Sequence, residues 1–202
     1  MVAIIDYGVG NLFSLKSSFA SLGIPAEATA DPERILAADR LILPGVGAFE
    51  DAAKKLRESG LSDLVKEEAA SGKPLLGICL GMQLLLDKSY EYGEHQGLSL
   101  IPGKVTAMRG RIPSDLKVPA MGWNALHFVK ESPLFRYIHE GDCVYFVHSY
   151  SAVDCDAYIS ATVEYGTEIT ASIERDNVFG CQFHPEKSGD VGLRILRAFA
   201  DL

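Results

Sequence analysis

The sequence has only four cysteines, Cys79, Cys143, Cys155 and Cys181. None belongs to a CxxC pair or stands at ligand spacing from a histidine, so no structural zinc site is expected. Positive charge is also scarce. Lys and Arg number 19 against 27 Asp and Glu, giving a net charge of −8. That balance argues against nucleic acid or an anionic membrane as the main partner. Apolar runs such as the one around Leu84–Leu86 fall far short of the ~20 residues that a spanning helix needs. The opening "MVAIIDYG" leads straight into a strand, with no basic n-region or cleavage site. A reduced, cytoplasmic setting is therefore expected, in which the thiols stay free and either lie buried or do chemistry.

What is present is ordinary globular composition, 48% hydrophobic and 23% charged over 202 residues. A chain of this length buries roughly 70% of its unfolded surface. No repeat, low-complexity tract or linker interrupts it, and residues 1–202 are expected to form a single domain. The first half alternates strand and helix. "VAII" is followed by a helix from about Leu12 to Leu22, whose Leu12, Leu15, Phe19 and Leu22 share one face. A strand near Ala26 precedes "DPE", where Asp31 reads as an N-cap with proline at the first helical position. "RLIL" ends in "PGVG", and helices over about Phe49–Ser59 and Leu61–Ser71 lead to "PLLGI". The second half reads as short strands, with a hairpin at "EYGTEI" and a closing helix from about Gly189 to Leu202. The expected fold is α/β, a central mixed but mostly parallel sheet flanked by helices, with a β-rich second half.

The stretch "GICLG" places Cys79 between Gly77 and Gly81, after an apolar strand and before an apolar helix. This is the spacing of a nucleophile elbow with cysteine in the central position. A strand that turns abruptly into a helix presents its central residue at the carboxyl edge of the sheet, and side chains two positions either side would collide. The helix start directs N–H groups at the sulfur, which favours thiolate.

A thiolate nucleophile needs a proton-shuttling histidine and a group to orient it. Of the five histidines, His95 and His139 lie in polar, loop-like segments. His127, in "NALHF", reads as a core residue, and His148 ends a strong strand without a clear role. His184 stands in "FHPE", where proline keeps the backbone extended and brings His184 and Glu186 to one side. An acyl transfer also needs oxyanion donors. The Leu80 N–H follows the nucleophile, and the "PGVG" loop supplies a second from the Val46–Gly47 segment. "GVGNLF" at Gly8–Phe13 half-matches a dinucleotide fingerprint but lacks the third glycine. No cofactor is expected from it.

Together "PGVG", "GICLGMQ" and "FHPE" resemble the class I (triad) glutamine amidotransferases over essentially the whole chain. "PGVGAF", "MGWN", "YFVHSY" and Leu80 after the cysteine look like the branch that serves histidine biosynthesis. The resemblance implies the flavodoxin-like fold of that family and a Cys79–His184–Glu186 triad that hydrolyses glutamine to glutamate and ammonia. It implies glutamine-binding positions at Gly47, Gln83, Glu91, Ser149 and Tyr150. It further implies a separate (βα)8-barrel cyclase as heterodimer partner, facing Asn11, Met121, Trp123, Asn124 and Lys187. Without the resemblance, Trp123 would be assigned to the core. Alternatives at this stage are the glutaminase of another triad complex, a stand-alone cysteine hydrolase, and a glutamine-binding regulatory module.

Overall fold

A computed structural model describes residues 1–202. The chain runs β1 (Val2–Ile5), α1 (Leu12–Ser21), β2 (Ala26–Thr29), α2 (Pro32–Ala37), β3 (Arg40–Leu43), α3 (Phe49–Glu58), α4 (Leu61–Ala70), β4 (Leu75–Ile78) and α5 (Leu80–Leu84). The second half follows with β5 (Lys88–Ser89), β6 (His95–Gln96), β7 (Lys104–Ala107), β8 (Ala120–Ala125), β9 (His127–Phe128), β10 (Cys143–His148), β11 (Tyr150–Val153), β12 (Ile159–Glu164), β13 (Glu168–Arg175), β14 (Val178–Cys181) and α6 (Gly189–Ala200).

Eight strands form the main sheet, in the order β2-β1-β3-β4-β14-β13-β12-β9. The five from β2 to β14 run parallel, and the remaining three are antiparallel. The mixed, mostly parallel sheet expected from the alternation is the one observed. Its strands are short apolar runs because both faces are covered. Ile4, Ile42 and Leu76 point to one face, where Phe19 of α1 and Leu196 and Phe199 of α6 pack on them. Ile5, Leu41, Leu43 and Leu75 point to the other, against Ile35, Phe49, Leu56 and Val65 of α2–α4. Two smaller sheets, β11-β7-β5-β6 and β10-β8, carry the rest.

Local signals match closely in the first half. Asp31 caps α2 by accepting from the Glu33 N–H at 3.0 Å, with proline at the helix start. The β12–β13 hairpin closes at Glu164↔Glu168. The helix expected after the elbow is present and five residues long, giving way to the bends that lead into β5. Two expectations are corrected. His127 is exposed on β9 and pairs with Glu140 at 3.1 Å, so it is not a core residue. His95 is half-buried in β6, facing Glu50 of α3, rather than lying in a solvated loop.

The position of the site follows from β3, β4 and β14 being parallel neighbours. Leu43 pairs with Gly77, and Ile78 with Cys181, so the segments after all three strands leave the same carboxyl edge side by side. Residues 44–47, the elbow and residues 182–186 meet there although the last segment lies more than 100 positions from the other two.

The elbow admits no side chain at either flanking position. A Cβ on Gly77 would lie 2.7 Å from the Gly81 carbonyl oxygen, and one on Gly81 would lie 1.8 Å from the carbonyl oxygen of Leu43. Both obstacles are backbone, which cannot swing aside. Gly81→Ala is expected to destabilise the protein by about 3 kcal/mol or more in urea unfolding. Gly47→Ala, which meets no atom within 4 Å but needs φ +93°, is expected to cost only about 1–2 kcal/mol.

Candidate active site

Cys79 occupies the tip of the elbow with φ 56° and ψ −111°, a conformation that a non-glycine residue holds only at a cost of about 1–3 kcal/mol. Two bonds over-determine it. The Cys79 N–H donates to the Cys181 carbonyl at 2.7 Å, tying the tip to β14, and the Cys79 carbonyl accepts from the Gln83 N–H at 3.2 Å, opening α5. Leu80 is the first residue of α5, so its N–H has no carbonyl four residues back within the helix and is free for a ligand.

His184 comes from the turn after β14 and is fixed through its backbone. Its N–H donates to the Tyr145 carbonyl at 2.9 Å, and its carbonyl accepts from the Ser188 hydroxyl at 2.6 Å. Ser188 in turn accepts from the Tyr145 N–H at 2.9 Å. The ring Nδ1 stands 2.8 Å from Glu186 Oε1, and both side chains are only 2% exposed. Cys79 lines the same cleft as the ring. Burial by itself disfavours the charged ring, yet the interactions with Cys79 and Glu186 outweigh it and push His184 up to about 9. An imidazolium held between sulfur and carboxylate can protonate a leaving amine and, once neutral, accept a proton from water.

Cys79 and His184 open on a cleft of about 320 Å³, the right order for an amino-acid-sized ligand. Val46, Gly47 and Leu80 line one side, and Gln83, Glu91, Ser149 and Tyr150 also face it. All five positions matched to glutamine binding are therefore brought to one pocket. Glu91 is anchored there by accepting from the Phe49 N–H at 2.7 Å, which ties the pocket rim to the start of α3. Of the residues matched to a partner surface, Lys187 borders the cleft and the others do not line it. Met121 and Trp123 are 61% and 55% exposed, so Trp123 is not a core residue. Lys187 is exposed, while Asn124 and Asn11 are half-buried, Asn11 capping α1.

The chain was compared with known proteins. The family model for glutamine amidotransferase class-I matches residues 3–201. The chain belongs to the class I glutamine amidotransferases. Among curated relatives, an imidazole glycerol phosphate synthase subunit HisH from Syntrophotalea carbinolica is 48% identical, with 100% of each chain covered. The subunit of that name from Wolinella succinogenes is 49% identical at the same coverage. That from Sulfurimonas denitrificans is 51% identical, over 98% of this chain and 97% of its own. Two solved structures share the fold at low identity. A glutamine amidotransferase crystal structure superposes with TM-score 0.77 and 20% identity, covering 100% of this chain and 98% of its own. PurLQS from Thermotoga maritima gives 0.76 and 18%, covering 99% and 97%.

Within this amidotransferase, three site residues carry sequence signals too weak to single out. Gln182 is fully buried, and its Nε2 donates to the Cys79 sulfur at 3.6 Å. Only its place two residues before His184 could have marked it. His148 lines the cleft and donates from Nδ1 to the Tyr150 carbonyl at 2.8 Å. Burial and the nearby charge of His184 bring it down to about 4 despite that bond, so its ring is neutral. Tyr7 donates its hydroxyl to the Pro44 carbonyl at 2.6 Å, fixing the base of the "PGVG" loop. The glycine pattern "GVGN" has a related use. Gly10, at φ +117°, lets the turn after β1 lie against Pro44, which a Cβ would meet at 2.8 Å.

Because the folded state holds the His184 proton more tightly than the unfolded chain (ordinary value 6.5), this group stabilises the fold fully below about pH 6.5. That contribution fades as pH rises through 9. Relative to His184→Gln, the unaltered protein is expected to lose up to about 3 kcal/mol between pH 6 and pH 10. Urea unfolding across that range would measure it, and a pH-independent difference would contradict the assignment.

Proposed function

We infer that this chain is the glutaminase subunit of an imidazole glycerol phosphate synthase. It hydrolyses glutamine and passes the ammonia to a separate (βα)8-barrel cyclase, which makes imidazole glycerol phosphate and an aminoimidazole carboxamide ribotide. The observation that carries the glutaminase part is the buried imidazole bonded to the Glu186 carboxylate and facing the same cleft as Cys79 at the tip of the elbow. The histidine-pathway assignment rests on the relatives named as HisH subunits at 48–51% identity over nearly their full lengths.

In this reading glutamine enters the cleft with its carboxamide carbon above Cys79. The thiolate adds to that carbon, and the carbonyl oxygen becomes an oxyanion that accepts from the Leu80 N–H and from an N–H of the Val46–Gly47 segment. The His184 imidazolium gives its proton to the departing nitrogen, the C–N bond breaks, and ammonia leaves a thioester on Cys79. Neutral His184 then takes a proton from water. The hydroxide adds to the thioester, the C–S bond breaks, and glutamate departs with the thiolate restored. Glu186 holds the ring in the required tautomer throughout. Gln83, Glu91, Ser149 and Tyr150 bind the rest of the substrate.

Gly47 has room to rotate its peptide, and loss of one oxyanion donor slows acyl transfer by about 10²–10³. A loop that turns such a donor in or out is therefore a switch. The partner face we assign to Asn11, Met121, Trp123, Asn124 and Lys187 has a separate link to the His184 turn. Trp123 pairs with Tyr145 across the β8–β10 ladder, their rings 6.0 Å apart, and the Tyr145 backbone holds His184 and Ser188.

Cys79→Ala is expected to abolish glutamine hydrolysis, by at least about 10⁴-fold, with unfolding unchanged. The unaltered chain by itself is expected to turn over slowly and to accelerate when a histidine-pathway cyclase is added; rapid turnover alone would contradict a gated oxyanion site. Trp123 is the sole tryptophan, so the complex is expected to shift its fluorescence. An unshifted spectrum on demonstrated association would remove it from the interface.

A further inference from the structure

Gln182 is fully buried beside the nucleophile, and the mechanism above gives it nothing to do. It follows β14 directly and is held in place by its backbone N–H, which donates to the Ala171 carbonyl at 2.8 Å. Its side chain makes two contacts. Nε2 lies 3.6 Å from the Cys79 sulfur, and Oε1 accepts from Gln83 Nε2 at 2.9 Å. The same Gln83 nitrogen donates to the Tyr150 carbonyl at 3.4 Å.

The direction of this chain of amides follows from chemistry. A peptide carbonyl can only accept, so the Gln83 group facing Tyr150 is its NH2 and not its oxygen. That nitrogen also faces Gln182, so the Gln182 atom meeting it is the oxygen. The other end of the Gln182 amide, the NH2, is then turned to the sulfur. Reversing either amide would set two acceptors or two donors against each other in a buried place, at about 1–3 kcal/mol. The Tyr150 carbonyl thus orients Gln83, Gln83 orients Gln182, and Gln182 presents N–H to Cys79.

We propose that Gln182 is a positioning residue of the reaction, an amide donor that holds and stabilises the Cys79 thiolate and links it through Gln83 to the glutamine pocket. This rests on the glutaminase reading. A hydrogen bond to an ionised acceptor is about twice as strong as one between neutral groups, so the amide favours thiolate over thiol. It also reaches the sulfur from the β14 side, independently of the oxyanion donors at Leu80 and Val46–Gly47. Gln83 lines the cleft while also fixing Gln182. A substrate that draws Gln83 toward itself changes the donor strength felt at the sulfur.

The other titratable groups near the sulfur are His184, with Glu186 behind it, Cys181 at the end of β14, Tyr7 in the turn after β1, and His148, Tyr150, Lys187 and Glu91 on the cleft. Gln182→Met keeps all of them and the side-chain length, and removes only the donor. The test is the rate at which iodoacetamide alkylates Cys79 in the full-length chain, followed by peptide mass from pH 6 to pH 10, with exposed Cys143 as internal reference. At pH 7 the variant is expected to react about tenfold more slowly at Cys79, with the gap closing toward pH 10 and Cys143 unaffected. Equal rates at every pH would overturn the proposal. So would a slowing that is the same at every pH, which would mark a packing role. Should Gln182→Met fail to fold, Gln83→Met decides. It frees the Gln182 amide to turn and is expected to give a smaller, about threefold, pH-dependent slowing; none would overturn the proposal. Alkylation reads the thiolate whether or not glutamine is the substrate. Failure of the glutaminase reading would appear separately, as hydrolysis surviving in Cys79→Ala.

Discussion

Backbone touches backbone where the first turn of α5 lies on the end of β3, and the site depends on that contact. With hydrogen at Gly77 and Gly81, the chain after β4 can fold back onto Leu43. Gly45 belongs to the same contact, since a Cβ there would meet the Gly81 nitrogen and the Leu80 side chain at 2.8 Å. The elbow bearing Cys79 and the 44–47 loop, to which we assign the second oxyanion donor, are therefore neighbours through main chain. Main chain transmits small displacements better than packed side chains, which can change rotamer. A sub-ångström shift of residues 44–47 reaches the Leu80 N–H directly.

This closeness sets the electrostatics. The Cys79 sulfur, His184 and Glu186 lie out of water, in surroundings that penalise an unpaired ion. The charged His184 ring is favoured because its neighbours outweigh the cost of burial. The ring lies between sulfur and carboxylate, and Gln182 adds an amide on the remaining side of the sulfur. One atom is left over. Glu186 Oε2 is buried with no partner, so the carboxylate directs its one hydrogen bond at His184 without a competing donor. His148, close by, avoids the same problem by staying neutral, its Nδ1–H committed to the Tyr150 carbonyl. That carbonyl receives both His148 and Gln83, which makes the peptide after Tyr150 a common support for the pocket.

Legibility in the sequence follows the range of the interactions. Elements set by neighbours in the chain could be read in advance: the short buried strands, the Asp31–Pro32 cap, the β12–β13 turn, and the elbow with its two glycines. The His184–Glu186 pair was readable for the same reason, being two residues apart on extended backbone. What escaped depends on partners far away in sequence. The division of the second half into a four-stranded and a two-stranded sheet rests on pairings such as β5 with β7 and β8 with β10, which no local periodicity encodes. His127 sits in an apolar context but lies on β9, at the edge of the main sheet, where its ring meets Glu140. Gln182 is 103 positions from Cys79, and nothing in "GCQFH" announces a donor until β14 is laid beside β4.

Trp123 illustrates how composition misleads. Large aromatics are usually buried, and a lone tryptophan would by that rule be a core residue. On β8 it stands instead on the open side of a two-stranded sheet, 55% exposed, with Met121 beside it two residues back on the same face. An isolated two-stranded ribbon has little stability of its own. This one is held through β10, where alternate residues Val144 and Phe146 enter the core, while Tyr145 points outward to Trp123 and binds the His184 segment through its backbone. The strand therefore has one face committed to the core, one to an exposed aromatic pair, and its main chain to the catalytic turn. Tyr145 alone thus joins the exposed aromatic pair to the His184 turn, and the core face fixes the strand's register and leaves it no freedom to slip.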